Sequence, residues 1–250
     1  MEHDPVRKAF NVAASLYKYR LPYHRQFFEQ LAGRLSLTGR ERVLDLCCGD
    51  GQIIAGLTGR VQQAVGVDFS EEMIRRAPAL PNVEYHHLSV EAFAALPMAA
   101  NTKFELLTVG HGIHWIRPGP LARVLEQNLA PHGRVVILGN QWSEETPWLS
   151  HLRRVEAPYR SFEVSDVSGR RKLGALGFVQ TDRFAHHFKV SCDLKFLMNH
   201  VTSYARYAER IMRTPHIFAA SLEQALRPHL NAEGKLDGVA SNWACVYAKG

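Results

Sequence analysis

The sequence predicts an α/β fold with a doubly wound, seven-stranded and mostly parallel sheet that carries helical lid insertions. Short apolar runs alternate with amphipathic segments from residue 42 onward, as buried parallel strands alternate with crossover helices. The length of 250 residues suits one large α/β domain, or a domain with a cap. A turn rich in small residues follows the first apolar run, where ligands bind in such sheets.

Seven apolar runs are predicted to be strands. A helical face formed by Leu121, Val124 and Leu125 separates the fourth run from the fifth, and we expect that helix to stop at residues 131–133, Pro-His-Gly. The predicted strands cover residues 42–46, 64–67, 83–87, 104–109, 134–139, 178–184 and 243–248.

Three consecutive segments are predicted: an N-terminal helical cap over residues 1–40, a cofactor-binding core over 41–140, and a segment from 141 to 250 that holds lid and substrate-binding insertions together with the last two strands. Pro22 can open a helix in the cap at its first turn. In the last segment, residues 194–230 are expected to be mainly helical, with a break near Thr214 and Pro215.

The composition is that of an ordinary globular protein, with 46% hydrophobic and 22% charged residues. The chain has no apolar stretch of membrane-spanning length, and its N-terminus does not resemble a signal peptide, so we expect a cytoplasmic protein without a membrane partner. The four cysteines form no CxxC pair and the histidines show no ligand spacing, so we predict no metal.

The net charge of +6 comes entirely from the C-terminal part of the chain. Residues 151–250 carry 15 Lys and Arg against 9 Asp and Glu, and 15 − 9 = 6, whereas residues 1–150 carry 15 of each sign. This asymmetry is compatible with an acidic partner or with a merely solvated basic surface.

Residues 43–51, Val-Leu-Asp-Leu-Cys-Cys-Gly-Asp-Gly, predict a βα turn that a ligand can approach closely. The second predicted strand leads to Asp68, 23 residues after Asp45, where a carboxylate can accept hydrogen bonds from both ribose hydroxyls. The turn and the spaced acid together indicate a cofactor that carries a nucleoside.

NAD is the competing cofactor, because dinucleotides use the same turn and acid. Ile54 stands where the third glycine of G-x-G-x-x-G is expected. Asp45 and Asp50 would lie unfavourably beside a pyrophosphate but favourably beside an ammonium and a sulfonium. These features favour a cationic nucleoside cofactor.

Residues 43–51 resemble the first motif, DxGxGxG, of class I S-adenosylmethionine-dependent methyltransferases, with Cys47 in place of the first glycine. Residues 65–73 resemble the second motif, in which the acid binds ribose and the Met packs on adenine. The resemblance covers roughly residues 10–140, with a His-Trp pair after the fourth strand as in small-molecule enzymes of the type 11-like group, and it implies a Rossmann-like fold.

The resemblance also implies which residues bind S-adenosylmethionine and its product S-adenosylhomocysteine. Ser89 and Val90 lie where the family contacts the adenine edge. In the second motif, Ser70, Glu71 and Glu72 are explained equally well as the start of a helix. The implied cofactor residues are Tyr17, Arg20, Asp45, Cys47, Gly49, Gly51, Asp68, Phe69, Met73, Ser89, Val90 and Gly110.

Residues 110–115, Gly-His-Gly-Ile-His-Trp, follow the fourth strand and are expected to line the reaction site. His111 is the leading candidate for a general base, because an imidazole titrates near neutral pH, and His114 is the second. Both are equally compatible with a structural role. Trp115 and Trp142 are predicted to contact the acceptor.

Residues 17–23 resemble the segment that closes over the cofactor in related enzymes. A tyrosine face there could stabilise the sulfonium, and Arg20 could bind the methionine carboxylate. Tyr19 and Tyr23 are predicted to bind the acceptor, and the alternative is an aromatic stripe against the core.

These features predict a methyltransferase that acts on an N or O atom of a small molecule, such as a natural product, by in-line displacement. The alternatives are an RNA or protein methyltransferase, which the basic C-terminal part suggests, and a noncatalytic cofactor-binding regulator, which the departures at Cys47, Ser89 and His132 suggest. Nucleic acid is the less favoured partner because no RNA-binding module is recognisable. A monomer and a homodimer are both compatible with the sequence.

Overall fold

The computed structural model describes residues 15–96, 103–161 and 167–250. The first 14 residues of the predicted cap lie outside the described residues. Within the described ranges, no helix is both long enough and apolar enough to cross a membrane, and no group of three or more His, Cys, Asp and Glu side chains is arranged to hold a metal ion.

The structure confirms the α/β fold with seven strands in one sheet. The strand order is β3-β2-β1-β4-β5-β7-β6, and the pairs among the first five strands are parallel. The strands are β1 (Arg42–Leu46), β2 (Gln63–Asp68), β3 (Val83–His87), β4 (Phe104–Gly110), β5 (Leu129–Trp142), β6 (Phe178–Cys192) and β7 (Leu236–Lys249).

Ten α-helices lie in the described part of the chain, together with 3-10 turns at Tyr17–Tyr19, Ala157–Tyr159 and Arg227–His229. The helices are α1 (Arg25–Leu35), α2 (Gln52–Leu57), α3 (Glu71–Arg76), α4 (Val90–Ala94), α5 (Pro118–Asn128), α6 (Leu149–Glu156), α7 (Val167–Ala175), α8 (Leu194–Thr202), α9 (Ala205–Arg213) and α10 (Pro215–Leu226). The expected break near Thr214 and Pro215 is confirmed, because α9 ends at Arg213 and α10 begins at Pro215.

The sheet reverses its winding direction at β1, which lies between β2 and β4. In the parallel register Asp45 pairs with Gly66 on one side and with Thr108 on the other. The carboxyl ends of β1, β2 and β4 therefore meet at one edge, which is where open α/β sheets bind ligands.

The predicted start of the fifth strand was wrong. β5 begins at Leu129, so residues 131–133 do not end the preceding helix, which stops at Asn128. The pairing of β4 with β5 shifts register between Phe104 and Leu106, and His132 has a φ of 61°. Residues 131–133 therefore belong to an irregular first part of β5. β6 and β7 are also longer than predicted.

The predicted helix start at Pro22 was also wrong. α1 begins at Arg25, and His24 is its N-cap, with its ring Nδ1 accepting a hydrogen bond of 3.3 Å from the backbone N–H of Gln26. A capping side chain satisfies an otherwise unpaired N–H of the first turn, which Pro22 cannot do. Phe27, Leu31 and Leu35 recur every four residues along this helix, and all three are buried.

The chain divides into two compact units by its contacts. The first, which we call the helical unit, contains the described residues of Met1–Pro22, Asn140–Val164 and His187–Ser241. The second, the sheet unit, contains Tyr23–Gly139, the described residues of Ser165–His186, and Asn242–Gly250. Both units are discontinuous in sequence, and the division cuts across the three consecutive segments expected from the sequence.

Two apolar clusters fill the sheet unit, and they follow the alternation of side chains along its strands. Leu44 and Leu46 belong to one cluster, whereas Val43 belongs to the other. Successive side chains of a strand point to opposite faces of the sheet. Both faces of the parallel strands are therefore covered, which explains why the strand sequences are apolar throughout.

The helical unit has an apolar cluster of its own. Trp148, Tyr207 and Phe218 are its largest fully buried members, and each has at most 1% of its surface exposed. Within the segment predicted to hold the lid insertions, α6 buries Leu149 and Leu152 in this cluster. Trp142 and Trp148 of the same segment are also part of this core.

Candidate cofactor and reaction site

The turn after β1 has the backbone conformation of a ligand-binding loop. Gly49 and Gly51 have φ values of 57° and 78°, and Cys47 adopts the same left-handed conformation with a φ of 57°. A Cβ at position 51 would lie 2.5 Å from the hydroxyl oxygen of Tyr85, so this position requires glycine. The chain therefore passes the end of the sheet without side chains at 49 and 51.

Asp68 ends β2 and ties two turns of the site together. Its Oδ2 accepts a hydrogen bond of 2.9 Å from the backbone N–H of Gly49, and its Oδ1 accepts one of 2.8 Å from that of Ser70. Burial raises the pKa of the Asp68 carboxyl, and these two hydrogen bonds oppose the rise. Each carboxylate oxygen has a further lone pair, so the group can still accept hydroxyl donors.

Asp45 is fully buried near the end of β1. The hydroxyl of Thr108 donates a hydrogen bond of 2.6 Å to its Oδ1, whereas its buried Oδ2 has no hydrogen-bond partner among the described residues. Burial raises the pKa of Asp45 to about 7, against the Thr108 hydrogen bond, and the nearby Asp68 adds to the rise. An oxygen left without a donor at this depth fits a ligand that brings a cationic donor.

Cys47 fits at its position because residue 112 is glycine. A Cβ on Gly112 would lie 2.5 Å from the Cβ of Cys47, closer than real side chains approach. Burial and the nearby carboxylates of Asp68 and Asp45 raise the pKa of the Cys47 thiol, which therefore stays protonated. Gly112 therefore provides the space that Cys47 needs where the first motif usually has a glycine.

The second motif begins a helix as well as facing the cofactor side. Ser70 is the N-cap of α3, and its hydroxyl accepts a hydrogen bond of 3.4 Å from the backbone N–H of Met73, which confirms the expected helix start. Met73 is buried, and the carbonyl oxygen of Phe69 lies 3.0 Å from Nε2 of His87. Contacts of Phe69 and Met73 with adenine stay predictions.

Ser89 and Val90 already have structural partners. The hydroxyl of Ser89 accepts a hydrogen bond of 3.1 Å from the backbone N–H of Ala92 and so caps α4. Val90 is buried in the apolar cluster of the sheet unit. The predicted contacts of both residues with the adenine edge stay predictions.

The loop after β4, residues 110–116, is built by close packing. A Cβ on Gly110 would lie 2.4 Å from Cδ1 of Ile53 and 3.4 Å from the hydroxyl of Tyr23, so Tyr23 reaches the start of this loop. His111 has a φ of 50°, and its backbone N–H donates a hydrogen bond of 3.1 Å to the carbonyl of Leu138. The loop thus leaves the strand through a backbone conformation that is uncommon outside glycine.

The two candidate bases lie in this loop beside aromatic rings. The His111 ring meets the Trp243 ring edge-on, with 6.3 Å between centroids. The His114 ring lies 4.7 Å from the Trp115 ring, and both residues are half-buried. The structure therefore brings His111, His114 and Trp115 together on the loop, and their roles in catalysis stay predictions.

The structure places the other predicted site residues, Tyr17, Tyr19, Arg20 and Trp142, in the helical unit. Arg20 stacks its guanidinium 3.6 Å from the ring centroid of Tyr204, and its Nη2 donates a hydrogen bond of 2.7 Å to the carbonyl of Ser203. Tyr17 lies on the same guanidinium at 5.2 Å. These contacts show why the segment is aromatic, and its closure over the cofactor stays a prediction.

Nε of Arg20 and Nε1 of Trp142 are nitrogen donors that lie buried in the helical unit without a partner among the described residues. They belong to one aromatic cluster, because His200 contacts both the Trp142 ring, at 5.9 Å, and the Tyr204 ring, at 5.2 Å. Both groups only donate hydrogen bonds. The cluster could therefore bind a planar group that carries an oxygen acceptor.

Sequence reasoning missed three residues of the sheet unit. Thr108 was detectable, because it is the one hydroxyl residue in an apolar run that pairs with the strand of Asp45. Tyr85 fills the space over Gly51 and Gly66 and has its pKa raised to about 12 by burial. Lys172 donates hydrogen bonds to carbonyls of the loop after β4, and no local sequence motif indicates this contact.

The fold is a Rossmann-like α/β sheet, and the turn after β1, Asp45 and Asp68 lie at its ligand-binding edge. Residues 43–133 match the family described as methyltransferase domain. The matched stretch contains this turn, both acids and the loop after β4.

Relatives of known name share part of their length with this chain. The 2-phytyl-1,4-naphtoquinone methyltransferase of Synechocystis sp. is 32% identical over 106 residues, which cover 39% of this chain and 44% of the relative. The demethylmenaquinone methyltransferase of Staphylococcus saprophyticus is 28% identical over 46% of this chain and 51% of the relative. The chain thus spans about half the length of the curated relatives it matches.

Solved structures match over more of the chain. A protein from Anaeromyxobacter dehalogenans, provisionally described as a type II methyltransferase, superposes with a TM-score of 0.71 and 18% identity over 92% of this chain and 97% of its own. An S-adenosylmethionine-dependent methyltransferase from Geobacter sulfurreducens, solved with S-adenosyl-L-homocysteine, gives a TM-score of 0.51 and 16% identity over 97% and 98%. At these identities the match establishes the fold.

Proposed function

We propose that this protein transfers the methyl group of S-adenosylmethionine to a small-molecule acceptor. The observation that carries the proposal is the pair of buried carboxylates at the switch point of the sheet. Asp68 is held by the backbone of two turns, and Asp45 has one oxygen without a hydrogen-bond donor among the described residues. One acid is thus suited to a ribose and the other to an ammonium.

The donor set fits the cofactor. In this proposal the Oδ2 of Asp45 accepts a hydrogen bond from the ammonium of the methionine part, and Asp68 accepts hydrogen bonds from the ribose hydroxyls. Cys47, Gly49 and Gly51 leave room for close approach. The adenine side is assigned to Phe69, Met73, Ser89 and Val90, and the reacting end to Gly110, Tyr17 and Arg20.

Bound S-adenosylmethionine supplies a methyl group that is already activated, so the protein chiefly has to align the acceptor. A general base is needed only where the acceptor is a hydroxyl or a protonated amine. His111 and His114 lie on the loop after β4 and are the residues we assign to that task. The proposal therefore covers methylation of either nitrogen or oxygen.

The aromatic cluster of the helical unit supports a planar acceptor. Unpaired buried donors cost free energy, about 1–3 kcal/mol each, unless a ligand or water satisfies them. Arg20 and Trp142 supply two such donors beside the rings of His200 and Tyr204. By their names, the relatives are methyltransferases of 2-phytyl-1,4-naphtoquinone and of demethylmenaquinone, which agrees with a planar acceptor that carries oxygen. We assign Tyr19, Tyr23, Trp115 and Trp142 to this acceptor.

The basic C-terminal part motivates an RNA or protein acceptor as a second candidate. Several of its arginines are paired on the surface: Arg153 with Glu144, Arg213 with Glu209, and Arg227 with Glu223. An arginine engaged with a neighbouring carboxylate contributes less to an electrostatic footprint for a polyanion. These pairs favour the small-molecule acceptor.

The test is incubation of the protein with S-adenosylmethionine and a metabolite extract, followed by mass spectrometry for products about 14 daltons heavier, the mass that a transferred methyl group adds. The matched control is Asp68→Ala, which should give less product at limiting S-adenosylmethionine because the ribose contact is lost. Methylated small molecules that form faster with the wild-type protein than with this variant support the proposal. Binding of S-adenosylhomocysteine without any product would instead support a noncatalytic regulator, and labelled RNA or protein would support the second candidate.

A further inference from the structure

A half-buried amine contacts the loop on which the two candidate bases lie. The Nζ of Lys172, on α7, lies 2.9 Å from the carbonyl oxygen of Ile113, 3.2 Å from that of His114 and 2.7 Å from that of Ile116. A lysine ammonium has three N–H donors. Three carbonyls of one short loop therefore use the whole donor capacity of this side chain.

The sequence of α7 brings the helix close enough for this contact. A Cβ on Gly169 would lie 2.4 Å from Cδ1 of Ile137 and 3.2 Å from Cγ2 of Ile113, so the helix backbone packs directly against β5 and the loop. Leu173, the neighbour of Lys172, is fully buried in the same apolar cluster as Ile113. The position of the amine is thus fixed by packing on both sides.

The surroundings of Lys172 suit a bracing role better than proton transfer. Partial burial lowers the pKa of Lys172, and the neighbouring charge of Arg171 lowers it further. All three donors face backbone oxygens, so none is left for a substrate. The guanidinium of an arginine is planar, and its donors cannot converge on three carbonyls in the same way.

We propose that Lys172 is a positioning residue that sets the backbone of residues 113–116 and thereby the places of His111, His114 and Trp115. Its effect on methyl transfer rests on the proposed function, whereas its effect on the loop does not. Because the three carbonyls lose their donors together, removal of the amine should loosen the whole loop rather than one residue.

The first experiment measures amide hydrogen exchange by mass spectrometry in the full chain. Lys172→Met keeps the length and removes the donors, and Lys172→Arg keeps the charge without the convergent geometry. Lys249→Met is the matched control, because the exposed Nζ of Lys249 donates to a single carbonyl among the described residues, that of Leu176 at 2.8 Å. We expect peptides covering residues 111–117 to exchange at least tenfold faster in both Lys172 variants and at the wild-type rate in the control.

Equal exchange of these peptides in wild type and both Lys172 variants would overturn the proposal. If Lys172→Met does not fold, as judged by circular dichroism, the arginine variant alone decides. Amide exchange at the wild-type rate in Lys172→Arg would also contradict the proposal, because the positive charge, and not the geometry of the three donors, would then hold the loop.

The second experiment separates this proposal from the proposed function. With an acceptor found by mass spectrometry, we expect Lys172→Met to lower kcat at least tenfold and to leave the affinity for S-adenosylhomocysteine within threefold, because Asp45 and Asp68 are untouched. A wild-type protein without product would refute the proposed function and leave the exchange result intact. Normal kcat in a variant with a loosened loop would refute only the catalytic effect of Lys172.

Discussion

The sheet unit and the helical unit leave different kinds of buried polar group unpaired at the predicted sites. At the end of β2, both oxygens of Asp68 accept hydrogen bonds from backbone N–H groups, whereas the Oδ2 acceptor of the neighbouring Asp45 has no partner among the described residues. In the helical unit, two donors, Nε of Arg20 and Nε1 of Trp142, are buried without a partner among the described residues. The difference indicates that Asp68 is oriented before binding, that Asp45 can accept a hydrogen bond from a ligand, and that the aromatic cluster can donate hydrogen bonds to one.

The two regions also differ in how the chain builds them. The cofactor turn and its acids come from consecutive βα units, since Asp45 and Asp68 lie at the ends of neighbouring strands. The aromatic cluster joins Arg20, Trp142 and the α8 residue His200, which are far apart in sequence. Local spacing can therefore reveal the first region but not the second.

Of the changes that test this comparison, removal of the Asp68 carboxylate should have the largest effect, which is on the affinity for S-adenosylhomocysteine. Asp68→Ala takes away the ribose acceptor and also frees the N–H groups of Gly49 and Ser70. We expect the affinity for S-adenosylhomocysteine to fall at least tenfold, which corresponds to about 1.4 kcal/mol or more. Isothermal titration calorimetry measures this directly.

The control for this variant is Asp182→Ala. Asp182 is a carboxylate of the same unit that pairs with Arg34 at the surface, where such pairs contribute little. The Asp182→Ala variant should bind S-adenosylhomocysteine with the affinity of the wild type. Unchanged affinity in Asp68→Ala would refute the assignment of the cofactor site.

The next largest effect concerns the fit of Cys47 against Gly112. Gly112→Ala places a Cβ 2.5 Å from that of Cys47, and overpacking of this kind costs about 1–3 kcal/mol. We expect a lower free energy of unfolding in urea and weaker binding of S-adenosylhomocysteine. Cys47→Gly alone should leave binding intact or improved, because glycine adopts the observed φ of 57° without strain.

The double variant Cys47→Gly with Gly112→Ala sharpens this test. Removal of the thiol makes room for the new methyl group, so we expect the double variant to recover most of the lost stability and affinity. A double variant as impaired as Gly112→Ala alone would show that position 112 needs glycine for another reason.

The third prediction uses the ionisation of Asp45. With a pKa of about 7, the fraction of ionised Asp45 rises about tenfold between about pH 6 and about pH 8. Since the ammonium of the ligand needs the ionised form, we expect S-adenosylhomocysteine to bind up to about tenfold more tightly at the higher pH. Titrations of Asp45→Asn over the same range should show no such trend, and an equal trend in that variant would assign the dependence to another group.

The same group makes a prediction for the unliganded protein. Asp45 has the ordinary aspartate pKa of 3.8 when the chain is unfolded, and burial raises this pKa to about 7 when the chain is folded. Because the unfolded state then carries the extra charge, the contribution of Asp45 to the free energy of unfolding falls as pH rises from about 4 to about 7 and is constant at higher pH. Denaturation of wild type and Asp45→Asn at several pH values measures the difference.

The fold was predictable because hydrophobic runs and turn residues report on it locally. The bounds of β1 and β3 matched, whereas β5 did not, since Pro131 and Gly133 look like a helix stop although the sheet absorbs them. In the site, Asp45 and Asp68 were predictable because each lies near the end of a predicted strand. The role of Lys172 was not predictable, because its contact with the loop depends on how α7 packs, and sequence spacing does not encode that packing.

The smallest expected effect tests the unpaired donors of the helical unit with two neighbouring tryptophans, whose rings lie 4.7 Å apart. The indole N–H of Trp148 donates a hydrogen bond of 2.9 Å to the carbonyl of Asp237, whereas that of Trp142 has no partner among the described residues. Both Trp→Phe changes remove similar volume, so their difference isolates the N–H group. We expect Trp148→Phe to lose about 1 kcal/mol more than Trp142→Phe in urea denaturation. Equal losses would mean that the Trp142 N–H is already satisfied in the free protein, and the aromatic cluster would then have one donor fewer to offer an acceptor.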